Sequence, residues 1–255
     1  MKNLLLAYLL LLIPAVISWV EHLRQERAIL VNGLRAAIQV MLMGSVFLYF
    51  FRLPMAANLA LVAFLLLSGS WIAYERGKGI PLVLPASVLL LLVAYLPSAL
   101  LLFSSGVLKW LPHVLVPVSG MVIGNGTKAL SLTYDRSKRM LSEYQEIVEA
   151  AFLDGADYLE AARFLIREAV HVALIPQIDG LKILGLVHIP GTMTGMLMGG
   201  MPPLEAAAYQ VVIAYAIAAT YILAAFLGAF FAFVVLLRAR YGRLFRFREP
   251  VPLRS

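Results

Sequence analysis

Four methionines crowd one stretch of the chain, Met193, Met196, Met198 and Met201. Thioether sulfur is a soft ligand suited to a cation such as Cu(I). Ordinary apolar packing is the plainer account of the same residues. A harder ion would seek oxygen and imidazole groups instead, and Gln39, Asn125, His188 and Gln210 are the candidates in or near apolar runs. A lone histidine at the end of such a run is commonly just an interfacial polar group, so any metal ligand set stays unknown. The chain has no cysteine, which excludes a disulfide framework and a thiolate metal site. No Ser/His/Asp arrangement or cluster of carboxylates inside an apolar run points to enzyme chemistry. Asp154-Gly155 followed by Ala162-Arg163 has phosphotransferase-like letters, but the spacing is too long and the trailing aspartates are missing.

Acidic residues recur at a helical interval in one region. Glu143, Glu146 and Glu149 form an i,i+3 series that Asp154, Asp157 and Glu160 continue. A solvated helix face accounts for it; a surface that collects cations or contacts a partner is the alternative. Gly191, Gly195 and Gly199 repeat a small-x-x-x-small spacing that allows close helix approach, either as a packing seam within the chain or as a contact between copies or a gate. Pro190-Gly191 removes a backbone donor just before that series, so 188–195 is expected to be a deformable part. Pro117, Gly120, Gly124 and Gly126 do the same for an earlier run that also carries Ser119, Asn125 and Thr127.

The elements that must position these residues are membrane helices. Apolar residues make up 62% of the 255 and charged residues 14%, too little polar surface to cover the chain in water. Hydropathy places spans near 4–20, 28–50, 55–74, 80–103, 112–133, 183–201 and 206–237, each long enough for a hydrocarbon core of about 30 Å. Seven spans are expected, with six or eight open because 169–201 reads also as a broken or re-entrant segment. The first run resembles a signal peptide in having Lys2 ahead of it. It lacks a small-x-small cleavage site, and Trp19 followed by Glu21 marks a membrane boundary, so it is expected to be retained. The chain reads as one permease-like domain over 1–255, all-α, with a connector from Tyr134 to Lys182.

Basic residues orient the bundle. With the N-terminus outside and the C-terminus inside, Arg24, Arg27, Arg76, Lys78, Arg136, Lys138, Arg139, Arg163, Arg167 and the tail arginines from Arg238 to Arg254 fall in the cytoplasm. Only Lys2, Arg52 and Lys109 fall outside. Arg35 and Lys128 stand close enough to span ends to snorkel. The formal charge of +7 therefore follows the membrane boundary; no nucleic-acid partner is expected, and the location is a cell membrane, plasma or inner, crossed several times.

The connector 134–182 is amphipathic and helical. Ile147, Val148, Ala151, Phe152 and Leu153 pattern a first helix; Gly155 is a natural stop, Asp157 an N-cap, and a second helix runs from about Tyr158 to Val170 with Arg163 and Arg167 at i,i+4. Such a pair of helices fits a groove on a soluble partner or lies on the membrane surface.

Glu149-Ala150-Ala151 with Gly155 four residues on, then an aliphatic run, resembles the coupling loop of ABC-transporter permeases. Arg167 stands where that motif has proline, and the nearest proline, Pro176, comes later. The chain resembles more closely the FetB-like iron-export permease family, related to plant aluminium-tolerance proteins. The resemblance is carried by Gly33-Leu34-Arg35-Ala36-Ala37-Ile38-Gln39, by Pro117 to Asn125, by Gly155-Ala156 through Ile166-Arg167-Glu168, and by Ala173-Leu174-Ile175-Pro176. Gly185 to Gly195, Pro202 and Tyr209-Gln210 complete it. Thr192, where that family more often has methionine, is a departure that puts the role of its position in doubt.

The resemblance implies an exporter subunit for metal ions such as iron, paired with a separate ATP-binding subunit and with a second copy of itself. It implies coupling through Glu149, Gly155, Arg163 and Arg167, and a pathway or gate near Gln39, Asn125, Pro190, Gly191, Met193 and Gln210. ATP and Mg would belong to the partner, and no cofactor to this chain, which is not expected to be an enzyme. Gly124-Asn125-Gly126-Thr127-Lys128 has P-loop letters in the wrong order inside a span. A permease for a nucleotide-sugar or other organic solute is the alternative, and a membrane scaffold a third class.

Overall fold

Long apolar runs without water must satisfy every backbone group internally, and the chain does so with helices. A computed structural model describes residues 2–242, with side chains from Leu6 onward. The tail arginines Arg243, Arg246, Arg248 and Arg254, expected on the cytoplasmic side, lie outside the described residues. The helices are α1 (Lys2–Leu9), α2 (Leu12–Val20), α3 (Glu26–Phe50), α4 (Met55–Gly77), α5 (Val83–Ser104), α6 (Pro112–Glu143), α7 (Gln145–Leu153), α8 (Tyr158–Ile183), α9 (Gly191–Met198) and α10 (Pro203–Tyr241). Four of them, α3, α4, α5 and α10, have both the length and the apolarity to cross a bilayer. By its contacts the chain divides into two compact units, Met1–Asn58 and Leu59–Ser255.

In the first unit the expected span 4–20 is broken. Pro14 lacks the N–H that would bond the Leu10 carbonyl, and its ring clashes there; the chain turns at Leu10 and Leu11, whose amides reach back to Ala7 and Tyr8. The Tyr8 hydroxyl donates to the Leu30 carbonyl at 2.9 Å, and a Cβ at Gly33 would collide with Leu11, so the α1–α2 pair lies on α3. No residue of α3 is buried, and Gln39 on it is exposed.

In the second unit α10 is the central element, packed on α5, α6 and α8. Its buried face carries Ala214, Ala218, Ala224, Ala225, Gly228 and Ala232, small enough for close backbone approach. A Cβ on Gly228 would come within 2.8 Å of Leu130 and Thr133, and one on Gly126 within 2.8 Å of Leu91. Hydroxyl pairs cross the same interfaces: Tyr95 with Ser119 at 2.7 Å, and Ser98 with Thr220 at 2.8 Å. In a low-dielectric interior each such group needs that partner.

Two expected boundaries move. The span at 112–133 does not stop there; α6 continues to Glu143, about 48 Å of helix in all. The expected span 183–201 is not one: only Gly191–Met198 is helical, about 12 Å long, well short of a membrane crossing. The Val187 and His188 amides instead turn back to the Ile183 carbonyl, with Gly185 at φ +78. Positive φ at a residue without Cβ lets the chain leave α8 sharply. Pro190 does not loosen a helix; it stands in extended conformation ahead of α9 as its N-cap.

Candidate functional site

Two places bring the singled-out residues together. The first is the end of the second unit where basic side chains gather. There the Lys138 ammonium donates to the carbonyls of Arg76 and Lys78 at 2.6 and 3.3 Å, and Arg139 pairs with Asp135 at 2.8 Å.

At that end α7 joins α6 to α8. Nine residues are too few for a stable free helix in water, so α7 depends on what it is packed against. Val148 and Phe152 are buried in an apolar cluster with Met140, Leu165, Phe233 and Leu237. The Phe152 ring lies 5.5 Å from Tyr158 and 5.2 Å from Tyr241. Glu149, half-buried, accepts hydrogen bonds from Gln145 Nε2 at 2.8 Å and the Tyr241 hydroxyl at 3.1 Å, while Arg240 donates to Gln145. This network latches α7 to the end of α10. The opposite face is open: Ile147 is 58% exposed and Leu153 76%.

Gly155 sits between α7 and α8 at φ +97, the left-handed conformation a stop requires. Asp157 then caps α8, accepting from the Leu159 and Glu160 amides at 2.8 and 2.7 Å, while the Glu160 carboxylate accepts from the Asp157 amide. The acidic series is therefore not one stripe. The helix breaks at Tyr144, so Glu143 belongs to α6 and faces Arg136 at 3.6 Å, whereas Glu149 is spent on the latch and Asp157 and Glu160 on the cap.

The helix α8 runs 13 residues past the expected end at Val170, with Pro176 inside it. Its start meets the end of α10 through Phe152, and its Ala173 carbonyl accepts from the Tyr221 hydroxyl at 3.0 Å, so the two helices are antiparallel. The expected connector 134–182 is thus only partly a connector. Arg163 and Arg167 stand on α8, as expected, beside Phe226 and Phe230 of α10.

The second place is at the other end of the same unit. A cavity of about 490 Å³ lies between the starts of α6 and α10 and the short α9. Met121, Met196, Met201, His113, Glu205 and Tyr209 line it, with Lys109 and Thr192. Thr192 donates its hydroxyl to Gln210 Oε1, tying α9 to α10. The residue that departed from the family pattern thus meets a predicted pathway residue. Met193 is half-buried and does not line the cavity. Asn125 lies one turn beyond Met121 and donates to its carbonyl at 2.8 Å. Its neighbours Gly124 to Lys128 are mid-helix, where amides are spent on the preceding turn and cannot cradle phosphate. Gly191 and Gly195 face open space: a Cβ on either would meet nothing within 4 Å, so they form no seam among the described residues. Among the described residues no three His, Asp or Glu side chains come together as a metal cluster.

His113, Met121 and Tyr209 were not singled out as a site by sequence. The signal for Met121 was present, because Val114, Pro117, Val118 and Met121 recur at helical spacing along one face of α6.

The chain matches the model of the "Uncharacterised protein family (UPF0014)" along residues 1–236. It is 34% identical over 221 residues to the "Probable iron export permease protein FetB" of Escherichia coli strain K12, covering 86% of this chain and 85% of that one. It is 29% identical over 198 residues to the "UPF0014 membrane protein STAR2" of Oryza sativa subsp. japonica (77% and 70% covered). With the "Protein ALUMINUM SENSITIVE 3" of Arabidopsis thaliana it shares 26% identity over 208 residues (81% and 76%). No solved structure matches the chain. With a family match running through nearly all its helices and several helices of membrane-spanning length, the chain belongs to the UPF0014 family of membrane proteins.

Proposed function

We propose that the chain is the permease subunit of an ABC transporter that exports metal ions, iron foremost, and that a separate ATP-binding subunit docks on the open face of α7. The observation that carries the reading is α7 itself. It is a short helix held at the basic end of two long helices by a sealed face, with Ile147 and Leu153 turned outward. The basic end is the cytoplasmic one, by the distribution of arginine and lysine. A push on α7 reaches α10 through Glu149, Tyr241 and Phe152, and α10 carries it to Gln210 and the far cavity.

The cargo reading rests on the relative named as an iron export permease and on the mixed donors of the cavity. Thioether, imidazole, carboxylate and phenol suit brief contact with a borderline cation better than tight storage. Passage through a carrier needs binding weak enough to release.

Two experiments test it. An Ile147→Glu/Leu153→Glu variant is expected to lose co-purification with the cognate ATPase at least tenfold while its detergent melting midpoint holds; undiminished co-purification removes α7 as the dock. Proteoliposomes carrying both subunits are then offered ferrous iron, other divalent metals or a nucleotide-sugar. ATP-dependent movement of the nucleotide-sugar, with no metal moved, overturns the cargo.

A further inference from the structure

We infer that Arg163 and Arg167 of α8, with Phe226 and Phe230 of α10, form a binding site for the headgroup of an anionic phospholipid of the cytoplasmic leaflet. A pocket of about 200 Å³ opens between the two helices, lined by Leu159, Arg163, Ile166, Arg167, Phe226 and Phe230. Its walls are of two kinds. The guanidinium groups stand one helical turn apart on an exposed face. Beside them the stacked rings of Phe226 and Phe230, centroids 6.4 Å apart, are 49% and 41% exposed.

Depth gives that combination its meaning. Between Glu205 and Arg238, α10 carries no charged residue, and Phe230 lies about 12 Å along the helix from Arg238. Tyr134 lies against both Gly77, next to Arg76 at the end of α4, and Gly228 of α10. Phe226 and Phe230, on either side of Gly228, therefore stand level with the basic end of α4, at the cytoplasmic boundary of the span, where exposed phenyl rings meet acyl chains. Neither Arg163 nor Arg167 has a carboxylate or hydrogen-bond partner among the described residues. Two guanidinium groups without a protein partner at that level attract an anion, and the nearest one in a membrane is a lipid phosphate. Arginine's planar fork matches phosphate oxygens in pairs, and the rings below hold the acyl chains that a free anion lacks. Lipid bound there would brace α8 against α10, the contact through which α7 is connected to the span.

The test uses the full chain in nanodiscs or detergent, with lipid retention read by native mass spectrometry. Wild type is expected to retain phosphatidylglycerol at least tenfold better than phosphatidylcholine. Arg163→Gln/Arg167→Gln should abolish that preference, and Arg163→Lys/Arg167→Lys should keep part of it. Equal retention of the two lipids by wild type overturns the proposal, and that arm needs no variant to fold. Unchanged selectivity in the glutamine variant also overturns it. Displacement of the lipid by millimolar inorganic phosphate would identify a free-anion site instead. If the glutamine variant loses the ATPase subunit while lipid selectivity persists, the arginines are partner contacts and the proposal falls. None of these outcomes depends on which cargo is carried.

Discussion

Phe152→Ala should detach α7 without unfolding the membrane bundle. Phe152 is 4% exposed and holds α7 in the cluster against Tyr158 and Tyr241. Truncating a buried phenylalanine costs about 3–5 kcal/mol, including the cavity left behind. The loss of two aromatic contacts, each worth about 0.5–1.5 kcal/mol, falls within that range. A nine-residue helix has almost no stability of its own to absorb such a loss. The contacts of α10 with α5, such as Ser98 with Thr220, by contrast, lie away from it. The opening equilibrium of α7 should therefore rise by a factor between roughly 10² and 4 × 10³, at about 1.4 kcal/mol per factor of ten. Amide hydrogen exchange measures this directly. Protection across 145–153 is expected to fall by that factor while α5 and the middle of α10 exchange as before, and ATPase-subunit binding should fall with it. Unchanged protection in α7 would refute the packing argument. Loss spread equally through α5 and α10 would refute the claim that α7 opens on its own.

Other substitutions probe the remaining contacts. Asp157→Ala removes the capping box of α8 and should cost about 1 kcal/mol, read as faster exchange in the first turn of α8. Gly228→Ala places a methyl within 2.8 Å of Leu130 and Thr133. Overpacking of about 1–3 kcal/mol should lower the detergent melting midpoint, and an unchanged midpoint would mean that α6 yields freely. Thr192→Val leaves Gln210, only 6% exposed, without its partner on α9. It is expected to cost about 0.5–2 kcal/mol and to slow transport with ATPase-subunit binding unaltered.

Much of the architecture was legible in the sequence because it follows from local chemistry. Runs of apolar residues without water have only helices available to them, so all-α spans over 28–50, 55–74, 80–103 and 206–237 were readable, and four membrane-length helices cover them. Gly155 and Asp157 were readable as stop and cap because both roles depend on one residue's own backbone or on atoms a few residues away. Over 183–201, where a continuous span and a broken segment were both open, the broken reading holds, because hydropathy measures apolarity and not continuity. The tight turn at Gly185 and the extended Pro190 leave only Gly191–Met198 helical.

Tertiary structure decided everything that depends on what lies across from a residue. Spacing made Glu143, Glu146 and Glu149 a stripe; a break at Tyr144 and a hydroxyl from Tyr241, 92 residues away, made Glu149 a latch. Spacing made Gly191 and Gly195 a seam within the chain or a contact or gate, yet no side chain among the described residues comes to meet them. The methionines offered their thioethers in sequence, but only folding selected Met196 and Met201 and added Met121 and His113 from α6. Periodicity along one helix says which face a side chain occupies. It says nothing about the facing helix, because that partner is chosen by packing between segments far apart in the chain.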